Sequence, residues 1–361
     1  MPPHSPIETP GSHQVTAEDG AGFGIALDWG TTNLRAFLLD SRGLVVSQRE
    51  KPWGILCLPA SVEEGGFDQA LEAIAGDWMA AHPQGALIAS GMVGSAQGWR
   101  EAPYVRCPAG AGDLLLKMTR IATASGRDLM IVPGILFDQE DALPDVIRGE
   151  ETQVIGALQS LAGQAGGDAG GESADLCFVL PGTHSKWILV KDGRIVQFAT
   201  YMTGELFANL KQHSILGRLM TAPVGPDAPV DAKAQEAVAS AYLQALTLAR
   251  TSGPGDLMRH LFTVRSMNLA GRLPVAALSD YLSGLLIGHE LASATAWLGR
   301  EAAGNPKIVL IGEAHLLRRY EDALASFGLH ASSLQNTAAA GMHHLLNLTA
   351  GGRTASGSVP S

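Results

Sequence analysis

The sequence predicts an α/β protein built from two similar lobes, and three observations carry that expectation. Short apolar runs of strand type are interspersed with long runs of helical period. A strand–turn–strand–turn–strand unit occurs twice, and a Gly/Ala-rich stretch separates the two copies.

In chain order, residues 1–21 are rich in Pro, Gly, Ser and His, lack an apolar core and read as a disordered tail. The first lobe is expected over 22–159. Its strand-like runs are Phe23–Leu27, Leu34–Leu39, Leu44–Gln48, Ala86–Ala89 and Leu129–Val132. Residues 160–175, "SLAGQAGGDAGGESAD", have no strong periodicity and read as a loop or linker. The second lobe is expected over 176–349, with strand-like runs at Cys177–Leu180, Trp187–Val190, Ile195–Phe198 and Ile308–Ile311. Its helices show in the spacing of Val238, Tyr242 and Leu246, and of Leu278, Leu282 and Leu286. Leu317, Tyr320 and Leu324 continue the pattern, and Gly328 is placed to close that helix. Residues 350–361 read as a second loose tail.

The repeat is the most informative feature. "FGIALDWGTTNLRAFLLDSRGLVVSQ" and "LCFVLPGTHSKWILVKDGRIVQF" share an apolar strand, a Gly-Thr turn, a second strand, a Gly-closed turn and a third strand. Gly30 and Gly182 stand 152 residues apart, close to half the ordered chain. Two lobes that each present a Gly-Thr turn to a shared cleft could grip a polyphosphate from both sides.

Composition narrows the function classes. The net charge of -10, without a Lys/Arg cluster, argues against nucleic acid or an anionic membrane as partner. No apolar run reaches membrane-spanning length. Cys57, Cys107 and Cys177 form no metal pattern, so a reduced compartment, the cytoplasm, is expected. There is no GxxxxGK[ST], no GxGxxG after a strand, no HExxH, no GxSxG and no HRD/DFG set. The pair His343-His344 lacks supporting ligands nearby and reads as structural.

The residue types at the two turns suit phosphate. Gly30 lets backbone approach a ligand oxygen, while neighbouring amides and the Thr31 and Thr32 hydroxyls can donate to it. Asp28, at a strand's end, suits a hydrated Mg²⁺, which takes only one or two carboxylates, and Arg35 could neutralise phosphate charge. Gly182, Thr183 and His184 form the matching turn.

The run Asp28-Trp29-Gly30-Thr31-Thr32 with Arg35, repeated in weaker form at Gly182-Thr183, resembles the actin/hexokinase/Hsp70 ATPase superfamily. Further segments resemble the 2-dehydro-3-deoxygalactonokinase family: "SGMVGSAQGWREAPYVRCPAG", "VPGILFD", "DVIRGEETQVIGAL", "LPGTHSKWILVKDGRI" and "YMTGELFANLKQHSILGRLM". The resemblance implies a two-lobed actin-like (ribonuclease H-like) ATPase fold with an interlobe cleft. It implies ATP and Mg²⁺ as cofactors and transfer of phosphate to the C6 hydroxyl of 2-dehydro-3-deoxy-D-galactonate. Carried over by position, Asp28 orients the metal, Gly30, Thr31, Thr32 and Arg35 form one phosphate clamp, and Gly182, Thr183 and His184 the other. Gly312, after the strand of "IVLIGEAHLL", falls at the adenosine-binding place, with Glu313 where a second glycine is usual.

Many relatives carry an aspartate in the second hairpin, whereas this strand ends in Leu180-Pro181. The proton acceptor is therefore expected in "DVIRGEETQ", from Asp145, Glu150 or Glu151, with the two glutamates favoured and not separated. Gly91, Met92, Gly94, Ser95, Trp99 and Tyr104 are expected at the sugar, and Glu205 at a sugar hydroxyl. Arg100, Arg148 and Lys211 are the cations offered for the substrate carboxylate. A homodimer is left open, as are a kinase for another 2-keto-3-deoxy acid or sugar and, more distantly, an ATP-dependent sugar-acid sensor.

Overall fold

A computed structural model of the chain describes residues 23–164, 175–220, 232–253, 255–302 and 304–355. The expected tail 1–21, residues 165–174 of the expected linker and residues 356–361 lie outside these.

In the first half, β1 (Gly24–Trp29), β2 (Leu34–Leu39) and β3 (Val45–Lys51) make an antiparallel meander. Helix α1 (Gly66–Ala81) leads back to β4 (Ala86–Gly91), which runs parallel to β1. After β5 (Val105–Arg106), α2 (Ala111–Leu116) and β6 (Thr119–Ala122), β7 (Asp128–Ile131) joins β4 in parallel. The sheet order is β3-β2-β1-β4-β7-β6. Strand β8 (Ile135–Phe137) pairs with β5 on one side and β9 (Asp145–Ile147) on the other in a small sheet, and α3 (Glu150–Gln164) closes this half.

The second half repeats the plan. The strands β10 (Leu176–Leu180), β11 (Ser185–Lys191) and β12 (Arg194–Tyr201) form the meander. Helices α4 (Thr203–His213), α5 (Ala232–Arg250), α6 (Asp256–Leu269) and α7 (Leu278–Glu301) precede β13 (Lys307–Ile311), parallel to β10. Helix α8 (Ala314–Ser326), β14 (Ala331–Leu334) and α9 (Thr337–Ala355) complete the chain, with sheet order β12-β11-β10-β13-β14. Both sheets thus have an antiparallel meander joined in parallel to two further strands, β4 and β7 in the first and β13 and β14 in the second, with β6 added antiparallel at the edge of the first.

Alternation along each central strand sets the layers. Ile25, Leu27 and Trp29 pack with α1 residues such as Phe67 and Ile74, while Ala26, Phe37 and Leu39 face the opposite way. On β10 and β13, Cys177, Val179, Ile308 and Leu310 face α5, α7 and α8, and Phe178, Val309 and Ile311 face inward. The two inward faces share a single core with Val154 and Ile155 of α3 and Met342, Leu345 and Leu346 of α9.

Helices α3 and α9 cross within that core at two glycines. A Cβ on Gly156 would lie 1.9 Å from the Thr337 carbonyl oxygen, and one on Gly341 1.9 Å from that of Thr152. Each glycine therefore meets the carbonyl of a threonine four residues before the other glycine, in T-x-x-x-G runs "TQVIG" and "TAAAG".

Two boundaries differ from the expectation. Helix α3 continues through 160–164 because Leu161 packs on the central core. Helix α9 continues to Ala355, past the expected tail start at 350, and although it follows the second sheet it packs on the first, where Leu346 approaches Gly24. Among the described residues no helix is long and apolar enough to cross a membrane.

Candidate active site

The carboxyl ends of β1, β4, β10 and β13 open onto one cavity of about 780 Å³, where open parallel sheets commonly place ligands. Gly30, Thr31 and Arg35 line it from one half, and Gly182, Thr183, His184 and Gly312 from the other. Met92, Arg148 and Glu150 form part of its wall, and Gln335, Asn336 and Thr337 bring the start of α9 to it.

The two Gly-Thr turns are braced alike. Behind the first, the amides of Gly54, Ile55 and Leu56 donate to the Thr32, Gly30 and Thr31 carbonyls at 2.8, 3.0 and 3.2 Å. A Cβ on Gly54 would fall 2.2 Å from the Thr31–Thr32 backbone, so only glycine admits this support. Behind the second, the Glu205 amide donates to the Thr183 carbonyl at 2.9 Å, and a Cβ on Gly204 would lie 2.4 Å from the Gly182 oxygen. Tying back the carbonyls removes acceptors that would repel an anion near the turn.

Asp28 and Arg35 occupy paired positions on β1 and β2, and both lie on the strand face that carries Ala26 and Phe37. Arg35 Nη2 donates to Asp28 Oδ2 at 2.6 Å. The other carboxylate oxygen of Asp28 is free of protein donors, and no cluster of three His, Cys, Asp or Glu occurs among the described residues. One carboxylate paired with Arg35 at the edge of a cavity lined by the two Gly-Thr turns fits Mg²⁺, an ion that keeps several of its waters.

The segment 148–152 lies across the ends of β1 and β4. Gly149, at φ +111°, packs against Gly91, at φ +97°, in the left-handed region that glycine tolerates. This turn sets Glu150 at the start of α3, lining the cavity, where its Oε2 accepts from the Arg148 amide at 2.9 Å. Burial pushes the Glu150 carboxyl up, with nearby Lys186 drawing it down. Glu151 is fully buried and points away from the cavity lining. Its oxygens accept from the Gly149 amide at 2.7 and 2.9 Å, and burial followed by the charge of Glu150 lifts it to about 7.

The remaining expected residues fall in several places. Asp145 does not line the cavity; its Oδ1 accepts from Thr200 Oγ1 at 2.8 Å, and Lys186 Nζ donates to the same Thr200 hydroxyl at 2.8 Å. Trp99 stacks on Phe67 and meets Trp29 edge-on, joining the core behind the first sheet. Ser95 bonds the Met92 carbonyl at 2.8 Å, and Gly94 gives room to Ile131 and Arg148. Gly91 is buried, Tyr104 carries the Arg148 guanidinium over its ring at 4.3 Å, and Thr32 is an exposed member of the first turn. Glu205 holds His184, Oε2 to Nε2 at 2.5 Å, on the second-turn side. Of the offered cations, Arg148 lines the cavity, Lys211 bonds Ser279 and Arg100 is exposed.

Sequence reasoning passed over Gly54, Gln153 and the Gln335-Asn336-Thr337 approach. A visible signal for the last was Asn336, which adopts φ +56° just before a helix. Thr203-Gly204-Glu205, which reads as a helix start facing the cleft, does open a helix there, and Gly204 lines the cavity. A smaller cavity of about 240 Å³ shares Gly182, Gly204 and Leu316 with the main one. It is walled by Phe207, Leu286 and Ile287, with Ser279, Asp280, Ser283 and Arg319 as its polar edge.

Duplicated meander sheets, two opposed Gly-Thr turns and two helices crossing between them define a two-lobed actin-like ATPase fold. Residues 28–345 match the model of the 2-keto-3-deoxy-galactonokinase family, and the chain belongs to that family. It is 34% identical over 315 residues to a protein of Rhizobium meliloti (strain 1021) carrying the 2-dehydro-3-deoxygalactonokinase name, covering 87% of this chain and 92% of the relative. The 2-dehydro-3-deoxygalactonokinase of Escherichia coli (strain K12) is 33% identical over 314 residues, covering 86% and 92%. A crystal structure of a Sinorhizobium meliloti protein described under the same name superposes with a TM-score of 0.72 at 30% identity, covering 93% of this chain and all of the other.

Proposed function

We propose that the protein transfers the γ-phosphoryl group of ATP to the C6 hydroxyl of 2-dehydro-3-deoxy-D-galactonate, in galactonate breakdown. The observation that carries this is Glu150, a carboxylate held between two braced Gly-Thr turns on the wall of one cavity.

Phosphoryl transfer needs positioning, charge neutralisation and a proton acceptor more than covalent chemistry. Gly30, Thr31, Thr32 and Arg35 on one side, and Gly182, Thr183 and His184 on the other, hold the phosphates. Glu205 orients His184 through their hydrogen bond. Gly312 and the smaller cavity beside it receive the nucleoside end. Asp28 would hold Mg²⁺ through water, and the ion would supply neutralisation of charge on the phosphates. As the bond from the C6 oxygen to phosphorus forms and the β–γ bridging P–O bond breaks, Glu150 takes the hydroxyl proton. A carboxyl raised by burial suits that task better than a solvated one. Glu151, sealed from the cavity, positions the turn through the Gly149 amide.

The partners on this reading are ATP and the sugar acid. The cytoplasm supplies ATP and keeps the three free cysteines reduced. The test is a coupled ADP-release assay on the purified chain against a panel of 2-keto-3-deoxy acids and neutral sugars. The highest kcat/KM is expected for the galactonate compound. Higher kcat/KM for the gluconate epimer would change the assigned substrate, and ADP release without an acid acceptor in the panel would overturn the reading.

A further inference from the structure

One guanidinium on the cavity wall has donors that no group of the protein meets. Arg148 lines the cavity, and its Nη2 donates to the Ala102 carbonyl at 2.9 Å. Its Nε and Nη1 are shut from solvent and have no hydrogen-bond partner. The guanidinium lies 4.3 Å from the Tyr104 ring centroid. The ring in turn packs on Gly134, where a Cβ would come within 2.7 Å of it. A Cβ on Gly94 would approach Arg148 Nη1 to 3.0 Å, so that glycine makes space for the head group.

Leaving buried donors of a charged group unpaired is costly, and a stacked, braced guanidinium cannot swing out to water without losing its packing. Such an arrangement is stable when an anion arrives. Two anions reach this cavity on the reading above: the transferring phosphoryl group and the carboxylate of the sugar acid. The phosphates already have the two Gly-Thr turns and Arg35. The guanidinium of Arg148, by contrast, is packed by Gly94, Ala102 and Tyr104, all from the segment that follows β4; the carboxylate its charge reaches, Glu151, is bound by the Gly149 amide and makes no hydrogen bond to it.

We infer that Arg148, stacked on Tyr104, is the specificity residue that receives the C1 carboxylate of the substrate, and that it makes the enzyme select acids over neutral sugars. The inference rests on the proposed kinase reading and adds the group that recognises the acid end. A planar fork of donors matches a carboxylate, which a lysine ammonium cannot reproduce.

The experiment compares 2-dehydro-3-deoxy-D-galactonate with its uncharged C1 amide in the wild type, Arg148→Met and Arg148→Lys, with ATP affinity measured separately by calorimetry. In Arg148→Met the KM for the acid is expected to rise roughly 10- to 100-fold, the worth of a charge-assisted pair, while the amide's KM stays in place. Acid preference therefore collapses. In Arg148→Lys the preference is expected to be intermediate. The acid-to-amide ratio is read within one protein, so a partly unfolded variant does not disguise it. Equal losses for acid and amide, or a loss that falls on ATP affinity, would overturn the inference alone. No turnover of either compound by the wild type would overturn the kinase reading and the inference together.

Discussion

Asp28 and Arg35 face each other across the first pair of strands, and the guanidinium closes on the carboxylate at 2.6 Å. Their side chains keep 15% and 35% of their exposure, so the pair sits at the cavity's edge and not in the core. An ion pair that is open to water contributes little to stability. On the proposed kinase reading its use is to hold a carboxylate in one orientation with one oxygen available. Asp28→Asn is accordingly expected to fold with less than about 1 kcal/mol of destabilisation. It should lower kcat by roughly 10- to 100-fold and raise the Mg²⁺ concentration needed for half-maximal rate. Magnesium titrations of the purified variant check this; an unchanged magnesium dependence would remove Asp28 from the metal.

Glu150 and Glu151 are adjacent in sequence and opposite in circumstance. Glu150→Gln is expected to lower kcat by about 10²- to 10⁴-fold with a smaller effect on KM, as loss of a general base does. Glu151→Gln should show mainly in stability against pH. The sign follows from its raised carboxyl. In the unfolded chain Glu151 titrates near 4.5 and in the folded chain at about 7, so between those values the folded state holds the extra proton. That contribution is fully present below 4.5 and is lost as pH rises through 7. Denaturant midpoints measured from pH 4.5 to 8 should therefore fall less steeply in Glu151→Gln than in the wild type. Parallel curves would show that Glu151 does not carry the proton, and full turnover in Glu150→Gln would move the base elsewhere.

The sheets were legible because their signals are local. An apolar run, a Gly-Thr turn and a second run specify a meander, and the repeat of that unit gave the second sheet. The three short strands β5, β8 and β9 were not legible, since two or three residues each carry no period; their pairing is a tertiary choice. At the cavity, Gly30, Gly182 and the pair Glu150-Glu151 could be named from sequence because their chemistry and their place after a strand or before a helix coincide; which of the two glutamates lines the cavity, Glu150, was not legible. Trp99, expected at the sugar, lies partly buried with one face stacked on Phe67, and a pattern of residue types cannot report which side of a loop an aromatic ring takes. Gly54 escaped notice for a related reason: it acts by being small against a distant turn, and nothing around it marks that.

The T-x-x-x-G pair at 152–156 and 337–341 was present in the sequence, and it joins α3 and α9 into the duplication already seen in the meanders. Its function follows from contact distances. Gly156 and Gly341 allow the two helix backbones to touch at 1.9 Å of would-be Cβ separation, and this crossing brings the starts of both helices, Glu150 and Thr337, to one cavity. A methyl at either position must push α3 and α9 apart against close-packed neighbours such as Met342 and Val154, both fully buried. Gly156→Ala and Gly341→Ala are therefore each expected to destabilise the protein by about 2–3 kcal/mol or more, and to lower kcat/KM as the cavity walls separate. Gly163, in the same helix α3, provides the contrast, because a Cβ there meets nothing within 4 Å. Gly163→Ala should stabilise by roughly 0.5–1 kcal/mol, through helix propensity and a less disordered unfolded chain, with kcat/KM unchanged. Urea denaturation of the three variants beside the wild type decides it. If Gly156→Ala and Gly163→Ala shift the midpoint in the same direction, the backbone contact at the crossing does not govern how the two halves are joined.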